Sequence, residues 1–191
     1  MIDLYSTREG GFHPSGIFAR VMTEEQVILV DESDREIGTM GKLQAHIEGK
    51  LHRAISVFLF NSKGEWLLQK RATGKYHSGG LWTNTCCSHP RAGEDTAVAA
   101  KRRLQEEMGI ECDLKFLFSF QYRANVGNGL VEHEMDHVFF GTSDNVPSPD
   151  ANEVAAWKYI PPAEIAAELK SGPELFTKWF AQIFNRVRSQ V

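Results

Sequence analysis

No apolar run in the chain is long enough to cross a bilayer, and the first 21 residues contain no hydrophobic stretch of signal-peptide length. A cytoplasmic protein without a membrane partner is therefore expected. Cysteine is scarce. Cys86, Cys87 and Cys112 make an odd number, and the adjacent pair cannot readily bridge, so free thiols in a reducing compartment are expected rather than a disulfide framework. An excess of positive charge is missing too. With 21 basic against 25 acidic residues and a formal net charge of −4, the chain lacks the electrostatic footprint of a nucleic-acid binder, although local basic stretches remain able to meet an anionic ligand. No internal repeat is visible.

What is present is a 191-residue chain, 42% hydrophobic, enough for one domain with a real core. Residues 1 to 21 are rich in Ser, Thr, Gly and Pro without periodicity and read as a flexible N-terminal extension before a domain over 22 to 191. A strand is expected from Gln26 to Val30, then a turn at Asp31 to Arg35. The segment from His52 to Phe60 is β-branched and aromatic, breaks at Asn61 to Gly64 and resumes from Trp66 to Lys70, which reads as a hairpin. Ala97, Ala100, Leu104 and Met108 recur at helical spacing between a cap at Asp95 or Thr96 and a stop at Gly109. Further strands are expected over 114 to 122, 135 to 141 and 155 to 160. Pro161-Pro162 opens a short helix reaching Lys170, and Pro173 opens another whose stripe is Phe176, Phe180, Ile183 and Val187.

The helix over 96 to 108 carries the first chemical signal. It ends in Glu106-Glu107-Met108-Gly109-Ile110, with Arg102, Leu104 and Glu94 upstream and Ser88 where the pattern G-x5-E-x7-R-E-U-x-E-E-x-G-U begins. The segment resembles a Nudix box. The departure is Arg103, which stands where hydrolases of that superfamily carry a magnesium-binding Glu. Arg103 lies four residues before Glu107 on one helix face, and a surface ion pair is the plain meaning of that spacing. Within the box a different role is expected: Glu107 holds Mg²⁺ against a diphosphate, and Arg103 contacts the diphosphate oxygens. Such a site binds a diphosphate and leaves it uncut.

A second set comprises His46 and His52, Cys87 and His89 in TNTCCSHP, and Glu132 and Glu134 in LVEHEM. In an extended segment residues i and i+2 point the same way, so Cys87 pairs with His89 and Glu132 with Glu134, while His133 faces away. Singly, each of these is more often a satisfied or exposed residue than a ligand. Together, three imidazoles and two carboxylates are expected to converge on one metal, of a kind that suits Mn²⁺, Zn²⁺ or Fe²⁺.

The segments GKLQAHIEGKLHRAISVFLFN, RATGKYHSGGLWTNTCCSHP, RRLQEEMG, QYRA and VEHE follow one another in an order that resembles the type I isopentenyl-diphosphate isomerases over roughly residues 24 to 185. The resemblance implies a Nudix-like α/β fold, a mixed β-sheet sandwich flanked by helices. It also implies an enzyme that moves the double bond of isopentenyl diphosphate to give dimethylallyl diphosphate. The first metal, Mn²⁺ or else Zn²⁺, Fe²⁺ or Mg²⁺, would rest on His46, His52, His89, Glu132 and Glu134, and a diphosphate-bound Mg²⁺ on Glu107. Cys87 and Glu134 match the catalytic pair, with Tyr122 hydrogen-bonded to Glu134. Lys42, Arg71, Lys75 and Arg103 match diphosphate-neutralising positions, and Trp179 becomes a wall of the site. Lys75 lies in a Gly-rich loop that otherwise reads as a solvated turn, and Cys86 adds a thiol before the matching one. The expected partner is a small isoprenoid diphosphate, and the expected state a monomer or weak homodimer. Two alternatives are a Nudix-type diphosphate hydrolase, disfavoured by Arg103 and the His/Glu set, and a metal-stabilised binding module without activity.

Overall fold

The β-branched run over 52 to 60 becomes the central strand of the molecule. The computed structural model describes residues 25–191, so the extension expected over 1 to 21 lies outside the described residues. The first strand, β1 (Gln26–Val30), pairs with β2 (Glu36–Gly41) and leads through α1 (Lys42–Glu48) into the central β3 (His52–Phe60). The expected hairpin between β3 and β4 (Trp66–Arg71) forms, but it holds for two residue pairs, Leu59 with Leu67 and Phe60 with Trp66, before the strands part. Into this fork runs the next stretch of chain, with β5 (Trp82–Thr83) paired to β4 and β6 (Cys86–Ser88) paired to β3. Thr85 stitches the fork: its hydroxyl accepts the Leu59 N–H at 2.8 Å and donates to the Leu67 carbonyl at 2.7 Å. Backbone groups that the ladder has lost are thereby satisfied.

The helix read from capping signals is α2 (Thr96–Met108). Asp95 caps it by accepting the N–H groups of Ala97 and Val98, and Gly109 ends it at φ 66°, where a Cβ would stand 2.6 Å from the Ser148 carbonyl oxygen. Two strands, β7 (Lys115–Gly127) and β8 (Leu130–Thr142), follow as an antiparallel pair. β8 also lies parallel to β3 over the whole length of β3, from His52 opposite Glu134 to Phe60 opposite Thr142. β9 (Val154–Ile160) pairs with β4, and α3 (Pro162–Ser171) and α4 (Lys178–Arg188) complete the chain.

The period of two along β3 divides the core. Ile55, Val57 and Leu59 face α2, where Ala100, Leu104 and Met108 pack with Phe139. Phe58 and Phe60 face α4, where Phe180, Ile183, Phe184 and Val187 pack with Val138. The result is the expected mixed sheet between helical layers. No helix among the described residues is long and apolar enough to cross a membrane.

Five elements differ from the sequence expectation. The strands read over 114 to 122 and 135 to 141 are the apolar parts of longer ones, whose polar ends run past the core to a turn at Gly127, Asn128 and Gly129, all with positive φ. The last helix begins at Lys178 rather than Pro173: Pro173–Leu175 makes a single 3-10 turn, and Phe176 is extended and bridges to Trp82, so it joins the core without being helical. β2 and α1 were not expected. α1 has only seven residues with Ala45 and His46 buried, too short to show a helical period.

Candidate active site

The even-numbered face of β3 changes character along its length. Phe58 and Phe60 lie under α4, whereas Ser56 opens into a cavity of about 360 Å³ shared with Cys87, Tyr122, Glu132, Glu134 and Trp179. Cys87 is the cross-strand neighbour of Ser56 on β6, and Glu134 that of His52 on β8, so β3 runs between the thiol and the carboxylate. Cys86 points the other way, into the α2 core.

At the inner end, ligand atoms of His46, His52, His89 and Glu134 lie within 4.8 Å of one another, all buried. The donor arrangement fits a cation. His46 and His52 each direct Nδ1 at a backbone carbonyl, Lys42 at 2.7 Å and Lys50 at 2.8 Å, which places the ring proton there and leaves Nε2 with a lone pair. His52 Nε2 has no hydrogen-bond partner among the described residues and faces Glu134 Oε1 at 3.5 Å, acceptor to acceptor. A positive charge between them resolves that contact. Burial lowers the His46 pKa and pushes His89 down to about 4 despite the pull of Glu134, so both rings are neutral.

Glu132 stands apart from that group. It falls in a second one with His46 and His77, whose Nε2 lies 3.4 Å from Glu132 Oε1. The five residues expected to hold a metal thus come together in two overlapping clusters joined by His46. The Tyr122 hydroxyl sits between the two carboxylates, 2.5 Å from Glu134 Oε2 and 3.0 Å from Glu132 Oε2. Burial and the neighbouring Glu134 push Glu132 well up, whereas Glu134, hydrogen-bonded by His89 Nε2 at 3.1 Å, is held below the usual range against burial. The two carboxylates meet at one hydroxyl, so their titrations are linked.

The Cys87 thiol is pushed up to about 12 by burial, against the lowering pull of Arg71, whose Nη1 donates to Sγ at 3.7 Å. Trp179 is fixed by its indole N–H, which donates to Asn84 Oδ1 at 3.2 Å, and the Arg71 guanidinium lies 5.4 Å from its ring centroid. Trp179 is at once core and cavity wall.

All four expected basic residues line the cavity. Three of them are paired with carboxylates: Lys42 with Glu25 at 3.0 Å, Lys75 with Glu153, and Arg103 with Glu106 and Glu107 at 2.7 Å and Glu153 at 3.3 Å. The Arg103–Glu107 ion pair that helical spacing allows is thus made. Glu107 also accepts from Gln69 of β4 across the fork, at 3.0 Å. The upstream residues of the box act as a clip, with Arg102 Nε and Nη2 donating to both oxygens of Glu94 at 2.7 Å.

Sequence reasoning missed His77, Tyr76, Glu25 and Glu153, which also line the cavity. His77 belongs to the loop that was read for Lys75, and a count of its imidazole with the others would have found it. Glu153 precedes a strand with no motif around it.

The NUDIX domain family model matches residues 50–180. The fold is shared with DR0079 from Deinococcus radiodurans, at a TM-score of 0.72 and 21% identity over 85% of this chain and 98% of that one. A MutT protein from Methanosarcina mazei Go1 follows at 0.61 and 18%, over 73% and 94%. Among curated relatives, isopentenyl-diphosphate Delta-isomerase 2 of Aromatoleum aromaticum is 54% identical over 166 residues, 87% of this chain and 88% of that protein. The isopentenyl-diphosphate Delta-isomerase of Pectobacterium atrosepticum is 52% identical over 162 residues, 85% and 90%. The chain belongs to the isopentenyl-diphosphate Delta-isomerase family of NUDIX-domain proteins.

Proposed function

We propose that the protein converts isopentenyl diphosphate to dimethylallyl diphosphate in isoprenoid biosynthesis by a 1,3 proton shift, as a cytoplasmic monomer or weak homodimer. The observation that carries this reading is the opposition of a protonated thiol, Cys87, and a hydrogen-bonded carboxylate, Glu134, across one cavity whose other end is cationic.

The reaction adds a proton to the terminal alkene carbon and removes one from the carbon on the far side of the double bond, through a tertiary carbocation. Such chemistry needs a strengthened acid and the exclusion of water. The strands that carry Cys87 and Glu134 are two places apart in the sheet, on the order of 10 Å between backbones, which leaves room for a short alkene between the two side chains. One of the pair delivers the proton and the other accepts the second. Tyr122 holds Glu134 in place and keeps a proton at hand through Glu132. The Trp179 π face adds roughly 0.5–2 kcal/mol of carbocation stabilisation, about one decade in rate.

A divalent cation such as Mn²⁺, Zn²⁺, Fe²⁺ or Mg²⁺ would be held by His46, His52, His89, Glu132 and Glu134, and it supplies positive charge that strengthens the acid. At the other end Glu107 would hold Mg²⁺ against the diphosphate. Lys42, Arg71, Lys75 and Arg103 bind the diphosphate oxygens, Lys42, Lys75 and Arg103 exchanging their carboxylate partners to do so, and the clamp positions the alkene.

Incubation of isopentenyl diphosphate with the protein, Mg²⁺ and Mn²⁺ in D₂O, followed by NMR, tests the reading. Deuterium is expected in the new methyl group as dimethylallyl diphosphate accumulates. Unchanged substrate would sink the proposal, and phosphate release without isomer would put a hydrolase in its place.

A further inference from the structure

His77 lies in the loop between β4 and β5, 6% exposed, with its ring centroid 5.5 Å from that of His46. Ligand atoms of His46, His77 and Glu132 lie within 4.8 Å of one another, as close as those of the His52, His89 and Glu134 group. Each of the three is anchored on its far side. His46 Nδ1 donates to Lys42 O at 2.7 Å, His77 Nδ1 meets Ser78 Oγ at 3.2 Å, and Glu132 Oε2 lies 3.0 Å from the Tyr122 hydroxyl. Anchoring of the distal atom is how proteins fix the ring orientation and tautomer of a metal-binding histidine. The anchor of His77 carries strain: Ser78 adopts φ 51°, an uncommon conformation for a residue with a Cβ.

We infer that His77 is a further cation ligand, which with Glu132 forms a second lobe of the metal centre, joined through His46 to the lobe of His52, His89 and Glu134. The inference rests on the metal reading above and adds one donor to it. Four imidazoles and two carboxylates make six N/O donors, a set biased from Mg²⁺ toward Mn²⁺, Fe²⁺ or Zn²⁺. The same loop carries Lys75, so a cation held by His77 fastens part of the diphosphate clamp to the metal centre.

The metal-free full-length protein is titrated calorimetrically with Mn²⁺ and, separately, Zn²⁺, as wild type, His77→Ala, His77→Gln and His52→Ala. Both His77 variants are expected to lose about tenfold to a hundredfold in affinity. X-ray absorption of the Zn²⁺-loaded wild type should count four imidazoles. Amide exchange over residues 72 to 81 should slow on Mn²⁺ loading in the wild type and not in the variants. Undiminished affinity in both variants overturns the inference, as does rescue by Gln, which offers Glu132 a polar neighbour without the imidazole. A wild-type count of three imidazoles overturns it even if a variant fails to fold. Loss of affinity in His52→Ala alone would leave the metal reading standing and remove His77 from it, whereas a wild type that binds neither ion overturns both.

Discussion

Glu134 and Glu153 are carboxylates of the same cavity, yet they are held in opposite ways. Glu134 comes from the middle of β8, almost fully buried, and touches Tyr122, His52 and His89. Glu153 comes from the segment leading into β9, partly open to solvent, and its partners are two cations, Lys75 and Arg103. The first arrangement belongs to strands locked by register, where a carboxylate is costly to move. The second is a set of partly buried ion pairs between long side chains, whose cations present the same N–H donors to a phosphate oxygen as to a carboxylate. In the proposed reaction the first end keeps its geometry, and the second changes partners when the diphosphate arrives.

That contrast is open to direct attack. Cys87→Ala and Glu134→Gln are each expected to lower kcat by at least about 10³-fold, the scale of positioned acid–base groups, with circular dichroism unchanged; near-normal turnover in either would move the chemistry elsewhere. Cys86→Ala, on the opposite face, should be mild. Arg103→Ala should raise KM about tenfold and change kcat little, as read from initial rates over a substrate series. A larger fall in kcat than rise in KM would erase the division between the two ends.

The pH behaviour of the thiol sharpens the picture of the inner end. Because burial raises the Cys87 pKa to about 12 in the folded protein, the thiol stays protonated far above the ~8.5 of a free cysteine. Its folded-state proton contributes stability that is complete below the unfolded pKa and is lost as pH rises toward about 12. Iodoacetamide labelling of Cys87, followed by peptide mapping, should therefore still accelerate about tenfold per pH unit between about 9 and 11. A rate that levels off near pH 9 would show an ionised thiol. The smallest effect belongs outside the site: Asp95→Ala removes the α2 cap and should cost about 1 kcal/mol in thermal unfolding, leaving KM and kcat in place.

Legibility followed the range of the interactions. α2 was readable from end to end because its cap, stripe and stop are all local, and the box it carries brought Glu107 and Arg103 with it. His46, His52, His89 and Glu134 were named from pattern and resemblance, but nothing local revealed that His46 sits on a two-turn helix. The distribution of ligands between two clusters was invisible for the same reason. His77 was hidden because Gly and Lys dominate the signal of its loop, and Glu153 because an isolated carboxylate before a strand has no pattern. The expected contact of Arg103 with a diphosphate is preceded by three carboxylate contacts, one of them to Glu153, fifty residues away in sequence.

By itself the sequence determined the elements whose energetics are local: the capped helix α2, the turn at Asn61 to Gly64, and the alternation of β3. Only the tertiary structure decided which side chains meet. The fork between β3 and β4 admits Cys87 beside Ser56, and the parallel register of β3 with β8 sets Glu134 opposite His52. A slip of one residue in that register would turn Glu134 onto the α2 face and dismantle the site, and register is a property of two strands eighty residues apart, not of either one.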